Sequence, residues 1–490
     1  MSSVYSLPRK GKLSGSFRPS YPVSPNLGYS FTQDDSQQTS EGLYRQTTIG
    51  KLMIDSLTRY VVGRGLTPMS APESDILGWN EDQLSKFRKQ SEAYWRLVTN
   101  DPNFDYCGKN GFKQLQQIAF KSILKDGDVL PHWGYRRLRN GTIVPYLQLI
   151  SGKMVSQEWN EDTQESVGGV IINKATGKEI GYCLRVLDNM FNETGTIKRV
   201  NRYNSIGRLE FDLVSLSQTD PSIVRGIPIL TALRDDILDY NSFKSNHITQ
   251  SAVQSMFTAF ITHAVDAKSD GIPFLDKLTA NGAEQTVDEG EGKIELGPGY
   301  VIDLNEGEDV KLVQSQAQGA DFDAFTKSVI GLIASALGMS YEVVMNSYNA
   351  SFSASRASIS GAEKNFAILR EEFASKFCTP TWKMVIEHGI LTGFIECPEW
   401  VSLSNVQKDA ITAVTWTGVT PPQVDPTKEV NAYALAIQHG LCTREYAIRM
   451  LFGMDAEEVA ERLHEEQQML GLEEQTDESS DQEDKEEEDE

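Results

Sequence analysis

The hydrophobic period changes twice along this chain, and no other feature constrains its fold as strongly. Between Thr47 and Gly127, apolar residues recur at helical spacing in three stripes. The first is Ile49, Met53, Leu57 and Tyr60; the second runs through Leu84, Phe87, Ser91, Tyr94 and Val98; the third through Phe112, Leu115, Ile118 and Ile123. Residues three and four apart share a helix face, so each stripe predicts an amphipathic helix. Gly63 supplies a left-handed stop for the first, and Asn80 with Gln83 has capping-box spacing at the start of the second. From residue 128 to 216 the period falls to two. VLPHWGYRRLRNGTIVPYLQLI alternates around Asn140-Gly141 and GGVIINKATGKEIGYCLRVL around Thr176-Gly177, which predicts antiparallel hairpins. Helical spacing then returns, so the expected class is α+β.

The helical pattern resumes at VRGIPILTALRDDILDYNSFKSNHITQSAVQSMFTAFI, with Pro228 suited to a first helical turn. Leu230, Leu233, Ile237 and Tyr240 form one stripe; Ile248, Ala252, Met256 and Phe260 form another. As one helix of roughly 35 residues it would span about 50 Å. Lys244 and His247 interrupt its face, and Ser251, Ser255 and Ala259 are small, a pattern that suits side-by-side packing in an assembly. Two shorter core helices satisfy the same pattern. A polar stretch at 265–292 follows, then KIELGPGYVIDL, which reads as a hairpin turning at Gly297-Pro298-Gly299. Phe322, Phe325, Val329 and Ile333 predict a helix closed near Gly338.

The link SYNASFSASRAS, Ser347 to Ser358, holds five serines, one arginine and no acid. Ser353 or Ser355 is suited to cap the next helix, whose stripe is Ile359, Ala362, Phe366, Leu369, Phe373 and Phe377. Pro380 should bend or interrupt that helix. Asp425-Pro426, Thr443, and Asp455 with Glu458 mark three further helix starts.

Charge is uneven. Of the formal −23, the last 18 residues from Glu473 carry −11 (12 acids against one lysine), leaving −12 for the rest. Such a body argues against a surface that grips nucleic acid, though not against one that lets DNA pass. Residues 1–42 carry Arg9, Lys10, Lys12 and Arg18 with no acid before Asp34, and read as a flexible basic arm; residues 473–490 read as a disordered acidic tail.

No catalytic chemistry emerges. The six histidines make no HxxxH or HExxH pair, and the five cysteines no CxxC, so no metal site or cofactor is expected. The Gly-Lys steps at Gly50, Gly177 and Gly292 lack the hydroxyl a P-loop needs, and there is no G-x-S-x-G elbow. Asp321 and Asp323 fit a helix start better than a carboxylate pair. Lys268 stands where a calcium loop between Asp266 and Asp270 would need oxygen. The seven tryptophans suit a core more than a base-stacking platform. No apolar run approaches the roughly 18 residues of a membrane span. The expectation is a non-enzymatic protein without a membrane partner; the alternatives are an enzyme such as a protease or nuclease, and a scaffold or adaptor that never meets DNA.

Several segments taken in order resemble the lambda-type portal proteins of tailed phages, over about residues 41–470. They are IGKLMIDSLTRYVVGRGLTP; FKQLQQIAFKSILKDGDVL; YLQLI followed by GGVIINKATGKEIGYCLRV; VRGIPILTAL; LGPGYVIDL; LGMSYEVVMNSYNASFSASRAS; and WTGVTPPQVDPTKEVNAYALAIQHGLCTREYAIRMLFGMDAEEV. Two departures stand out. SGKMVSQEW lacks the acid and arginine many relatives carry there, and DPSIVRGIP lacks the usual glutamine before Arg-Gly-x-Pro.

The resemblance implies a ring, typically of twelve subunits, at one capsid vertex of the virion, assembled in the host cytoplasm. Implied partners are the terminase large subunit, the major capsid protein and scaffold, head–tail connector proteins, and double-stranded DNA passing without sequence preference. The implied layout is a mixed helical and antiparallel β wing at 43–225 and a stem helix at 226–264. A small α/β clip follows at 265–292, with return stem and wing elements at 293–345. A tunnel loop would occupy 346–356 and a helical wing or crown region 357–472. Asn346, Ser347, Tyr348, Asn349, Ser351, Ser353, Ser355 and Arg356 would then face the channel, and Asp270, Lys277, Asp288, Glu289 and Glu291 would meet terminase or connector. Physically, hydroxyls and amides give weak, exchangeable contacts where lysine would hold phosphate. Arg356 is the exception, a brake on DNA or else a salt-bridge partner for Glu363 or a neighbouring subunit.

Overall fold

A computed structural model describes residues 25–156, 166–173, 175–187, 193–216, 223–256, 260–263, 308–311, 319–348, 352–397, 400–418, 426–452 and 456–470. The chain divides into two units, residues 1–231 with 338–490, and residues 232–337.

The first unit opens with helix α1 (Pro25–Gln46). The flexible basic arm expected at 1–42 is corrected here, since residues 25–42 lie in α1. Gln33, Gln37, Ser40 and Leu43 are buried, one helix face made mostly of polar residues. The Gln33 amide donates to the Gly226 carbonyl at 2.9 Å and that of Gln37 to the Asp126 carbonyl at 2.8 Å. A face held by amides leaves no apolar period to read.

Helices α2 (Thr48–Val61), α3 (Ser74–Leu77), α4 (Glu81–Asn100) and α5 (Phe112–Asp126) follow, with strand β1 (Thr67–Ser70) between α2 and α3. The expected capping box at Asn80 and Gln83 is formed. Strands β2 (Asp128–Arg137) and β3 (Ile143–Ser151) pair around the Asn140-Gly141 turn. Four short-looped strands, β4 (Ser166–Val167), β5 (Val170–Ile172), β6 (Glu179–Leu187) and β7 (Glu193–Asn201), make a second antiparallel sheet. Strand β8 (Val214–Ser215) adds to the far side of β2. Leu130, Val155, Val170, Tyr182 and Phe211 form the core of this β-region.

In the second unit, α6 is Arg234–Met256, so the single stem helix expected from Pro228 is corrected to 23 residues, about 35 Å at 1.5 Å each. Pro228 instead sits in a turn, where Thr231 N–H donates to its carbonyl, and Ile229 N–H donates to the last turn of α5 at Leu124. After α6, strand β9 (Phe260–His263) pairs antiparallel with β10 (Glu308–Lys311). The clip residues Asp270, Lys277, Asp288, Glu289 and Glu291 and the 293–304 hairpin lie outside the described residues. Helix α7 (Gly319–Ala336) carries the expected stripe. Phe243 and His247 of α6 meet Phe325 and Phe322 of α7, at ring separations of 4.1 and 4.6 Å.

Back in the first unit come α8 (Tyr341–Met345), α9 (Phe352–Phe373) and α10 (Thr379–Leu391). Between α9 and α10 the helix widens into a π turn at Ala374–Cys378, and Thr379 N–H reaches back to the Ala374 carbonyl. Pro380 has no N–H to give the Lys376 carbonyl and its ring would crowd it. The wide turn absorbs that conflict, and the helix continues where the sequence allowed a break. An aromatic core forms against this helix: Trp95, Phe112, Phe377, Trp382 and Trp416 stand within ring contact, the Trp95–Phe112 pair at 5.0 Å. Helix α11 (Asn405–Ile411) leads to β11 (Val414–Thr417), which pairs with β1 and ties the two ends of the unit together. Helices α12 (Pro426–Gln438), α13 (Arg444–Phe452) and α14 (Ala456–Leu470) complete the described chain.

Candidate functional site

The acid-free link is built from its base upward. Ser340 caps α8 by accepting from Val343 N–H, and Val343 and Val344 bury the helix. The helix stops at Asn346 with φ 50° and ψ 36°. Among the described residues this is the only non-glycine with positive φ; asparagine tolerates that region where branched residues do not. Asn346 and Ser347 N–H both donate to the Glu342 carbonyl. The Tyr60 hydroxyl of α2 lies 3.2 Å from Asn346 Oδ1 and 3.4 Å from the Val343 carbonyl. Its ring stacks on Phe366 of α9 at 5.2 Å.

The other end of the link is fastened to the same base. Ser358 Oγ lies 2.6 Å from Ser340 Oγ and donates to Glu342 Oε2 at 3.1 Å. The link therefore leaves and re-enters the fold at one clamp of Tyr60, Ser340, Glu342 and Ser358. Tyr348 stands beside the clamp, and burial, then Tyr60 and Glu342, push its hydroxyl above the ordinary tyrosine range.

Two expectations about the link change. Helix α9 begins at Phe352, so the tunnel-loop span of 346–356 overlaps the helix by five residues, and neither Ser353 nor Ser355 is its cap. Ser355 is buried in the first turn, which withdraws it from any channel-facing set. Arg356 is exposed on that turn. Its proposed intrachain partner is engaged elsewhere, because Glu363 pairs with Arg370 at 3.2 Å. No hydrogen bond or ion pair of the Arg356 side chain falls among the described residues. Asn349 and Ser351 lie outside them, and so does the side chain of Ser353.

A residue the sequence reading left without a role is Arg225, in the Arg-Gly-x-Pro stretch. It is buried, and all five of its N–H groups are used. Nε and Nη2 grip Asp128 at 2.6 and 3.0 Å; Nη1 donates to the carbonyls of Val155 and Gly168, and Nη2 also to that of Gly152. Asp128 accepts a further bond from Gly226 N–H at 3.2 Å. Gly226 and Gly127 approach so closely that a β-carbon on either would lie 1.9 or 2.2 Å from the other's carbonyl oxygen. The motif is thus a structural hub joining β2, the segments after β3 and before β5, and the approach to α6. An amide reaches it as well, from Gln33 of α1 rather than from the preceding residues. Beside the hub, Glu41 of α1 takes Lys125, Lys153 and Arg45. Burial alone would raise its carboxyl, yet the three cations hold it at about 2.

Two histidines, the buried His388 and the half-buried His132, are structural. His388 Nδ1 lies 2.6 Å from the Tyr94 hydroxyl and Nε2 3.1 Å from the Ile143 carbonyl. His132 stacks on Phe211 at 4.1 Å. Burial depresses both rings below the ordinary histidine value. Among the described residues there is no group of three or more His, Cys, Asp or Glu placed to hold a metal ion, and no helix long and apolar enough to cross a membrane.

Comparison with known proteins matches the family described as phage portal protein, lambda family, over residues 12–370. The portal protein of Escherichia phage N15 is 25% identical over 410 residues, covering 79% of this chain and 75% of that protein. Portal protein B of Escherichia phage lambda is 23% identical over 447 residues, covering 87% and 82%. Among solved structures, the "Neck of empty GTA particle computed with C6 symmetry" gives a TM-score of 0.46 at 12% identity, covering 86% of this chain and 93% of that one. The "Virion of native gene transfer agent (GTA) particle" gives 0.44 at the same identity and coverage. Family membership rests on the family match, which takes in well over half of the 490 residues: the chain belongs to the lambda family of phage portal proteins.

Proposed function

We propose that this portal protein forms a ring of about twelve copies at one capsid vertex and conducts double-stranded DNA through its centre during packaging and ejection. The clip at 265–292, with Asp270, Lys277, Asp288, Glu289 and Glu291, docks the terminase large subunit and later the head–tail connector proteins. Major capsid protein and scaffold surround the wing, and the ring nucleates the procapsid. The link from Asn346 to Arg356, apart from the buried Ser355, faces the DNA, and the observation that carries this is the clamp: a hydroxyl- and amide-rich, acid-free excursion fastened at both ends to one base, with Arg356 exposed to solvent. Such a wall supports sliding, because it offers phosphate exchangeable hydrogen bonds and one cation per copy.

The test is in two parts. Particle mass and negative-stain images of the purified chain should show a ring of several hundred kilodaltons with a central hole; a stable monomer overturns the reading. Arg356→Glu and Asn349→Asp, singly and together, should lower the amount of DNA packaged or retained while leaving rings intact. Packaging equal to wild type in the double variant refutes the DNA-facing assignment. Ser355 is excluded from this test because its burial would confound function with folding.

A further inference from the structure

A cleft of about 860 Å³ lies beside the C-terminal end of α2. Its charged lining residues are Arg59, Arg64, Lys121 and Asp55, and Gly418 and Phe452 also line it. Lys121 is already matched, with Nζ 2.7 Å from Asp55 Oδ1. Arg59 and Arg64 are exposed, and neither has an ion-pair partner among the described residues. Cations near a helix C-terminus commonly serve its open carbonyls. Here that work is done by others. Val62 and Gly63 N–H take the Thr58 carbonyl, Arg370 takes those of Tyr60 and Val61, and Gln117 takes that of Gly63. Two exposed arginines without such a duty therefore line a concave site, on a chain whose formal charge is −23.

Phe452 identifies the approach. It is the last residue of α13, is 60% exposed, and forms the apolar flank of the cleft. Beyond it lies α14, about 22 Å long at 1.5 Å per residue, and then residues 471–490. Those 20 residues reach up to about 66 Å when extended, three times the length of α14, so the chain end can fold back to the cleft its own α13 lines. The end is also the most acidic part of the molecule, with 12 acids among Glu473–Glu490. Tethering by so short a linker gives an effective concentration on the order of millimolar, which a charge-driven contact of modest affinity needs.

We propose that this cleft binds the acidic segment Glu473–Glu490 of the same chain, with carboxylates on Arg59 and Arg64. The inference stands apart from the ring and the channel, and either can fail alone.

Carbodiimide coupling of the full-length chain, read by peptide mass spectrometry, tests it. Carboxylates of 473–490 should couple to Lys121, with the Asp55–Lys121 product as an internal reference. Arg59→Glu together with Arg64→Glu should lower the tail–Lys121 product about ten-fold and leave the reference unchanged. Since substitution could disturb folding, a second arm uses the wild-type chain alone. Raising salt from 0.05 to 1 M, where the screening length falls to about 3 Å, should suppress the tail product by a similar factor. Absence of the tail product at low salt, or its persistence in the double variant, overturns the proposal. Products joining isotopically labelled to unlabelled chains in a mixed sample overturn the same-chain assignment. Protection of Lys121 by added duplex DNA without any tail product would assign the cleft to nucleic acid instead.

Discussion

Replacing Arg225 by methionine removes one partner of a pair that water does not reach. The Arg225 side chain is 4% exposed and Asp128 fully buried, with Nε and Oδ2 2.6 Å apart. Taking away one member of such a pair leaves the other charge uncompensated and costs about 3–5 kcal/mol. The carbonyls of Gly152, Val155 and Gly168 lose their donor in the same step, which places Arg225→Met at the upper end of that range. Native domains are stable by only about 5–15 kcal/mol, so the loss is a large share of the whole. Arg225→Lys keeps the charge but brings three donors to a site that uses five, and should fall between methionine and wild type. Urea unfolding followed by tryptophan fluorescence measures the differences. Lys383→Ala is the control: its partner Asp409 is 67% exposed, and an exposed pair contributes about 0–1 kcal/mol. The pair should also be non-additive. Arg225→Met with Asp128→Leu leaves no orphan charge and should cost less than the two single changes summed, by about 2 kcal/mol or more. An Arg225→Met variant within about 1 kcal/mol of wild type, or strictly additive single changes, would refute the reasoning.

Two further outcomes follow from single groups. The Glu41 carboxyl is held at about 2 against an ordinary 4.5. A depressed folded-state value means the stabilisation is complete above pH 4.5 and disappears as pH falls through about 2. The stability difference between wild type and Glu41→Gln, followed by unfolding from pH 7 downward, should therefore be widest above pH 5 and close toward pH 2; a difference independent of pH contradicts the ion cluster. Asn346→Ala places a β-carbon at positive φ and discards the Tyr60 contact, and should cost about 1–2 kcal/mol. Asn346→Gly should recover the backbone part of that loss, so hydrogen exchange at 341–348 faster in the alanine than in the glycine variant is the expected order, and the reverse order dismisses strain at this turn.

The sequence by itself determined the elements whose energy is local or periodic. The stripes of α2, α4, α5, α7 and α9 all fall on helices because residues three and four apart must share a face, although Ile118 and Phe325 are exposed and α4 buries Trp95 and Thr99 in place of Tyr94 and Val98. The Asn140-Gly141 hairpin forms because Gly141 accepts the left-handed backbone, φ 88°, that its turn needs, and the Asn140 side chain accepts from Thr142 N–H. Family order was legible too, since it lies in the succession of short segments. Tertiary structure decided what periodicity cannot encode. Helix α1 is invisible to hydrophobic pattern because Gln33 and Gln37 bury amides on backbone carbonyls supplied by residues about 90 to 190 positions away. The start of α6 lies at Arg234 rather than Pro228, because residues 229–233 form turns, with Thr231 N–H on the Pro228 carbonyl and Ile229 N–H on that of Leu124. Before Pro380 the helix widens into a π turn that accommodates the missing N–H, and the helix runs on into α10. At the link, composition gave the absence of acid, but only the fold put Ser340, Glu342, Ser358 and Tyr60 at a single base, turned Ser355 inward and left Arg356 in solvent. Those side chains belong to segments up to 298 positions apart in the chain, and it is the packing of α2 against α9, the Tyr60 ring on Phe366, that brings them together.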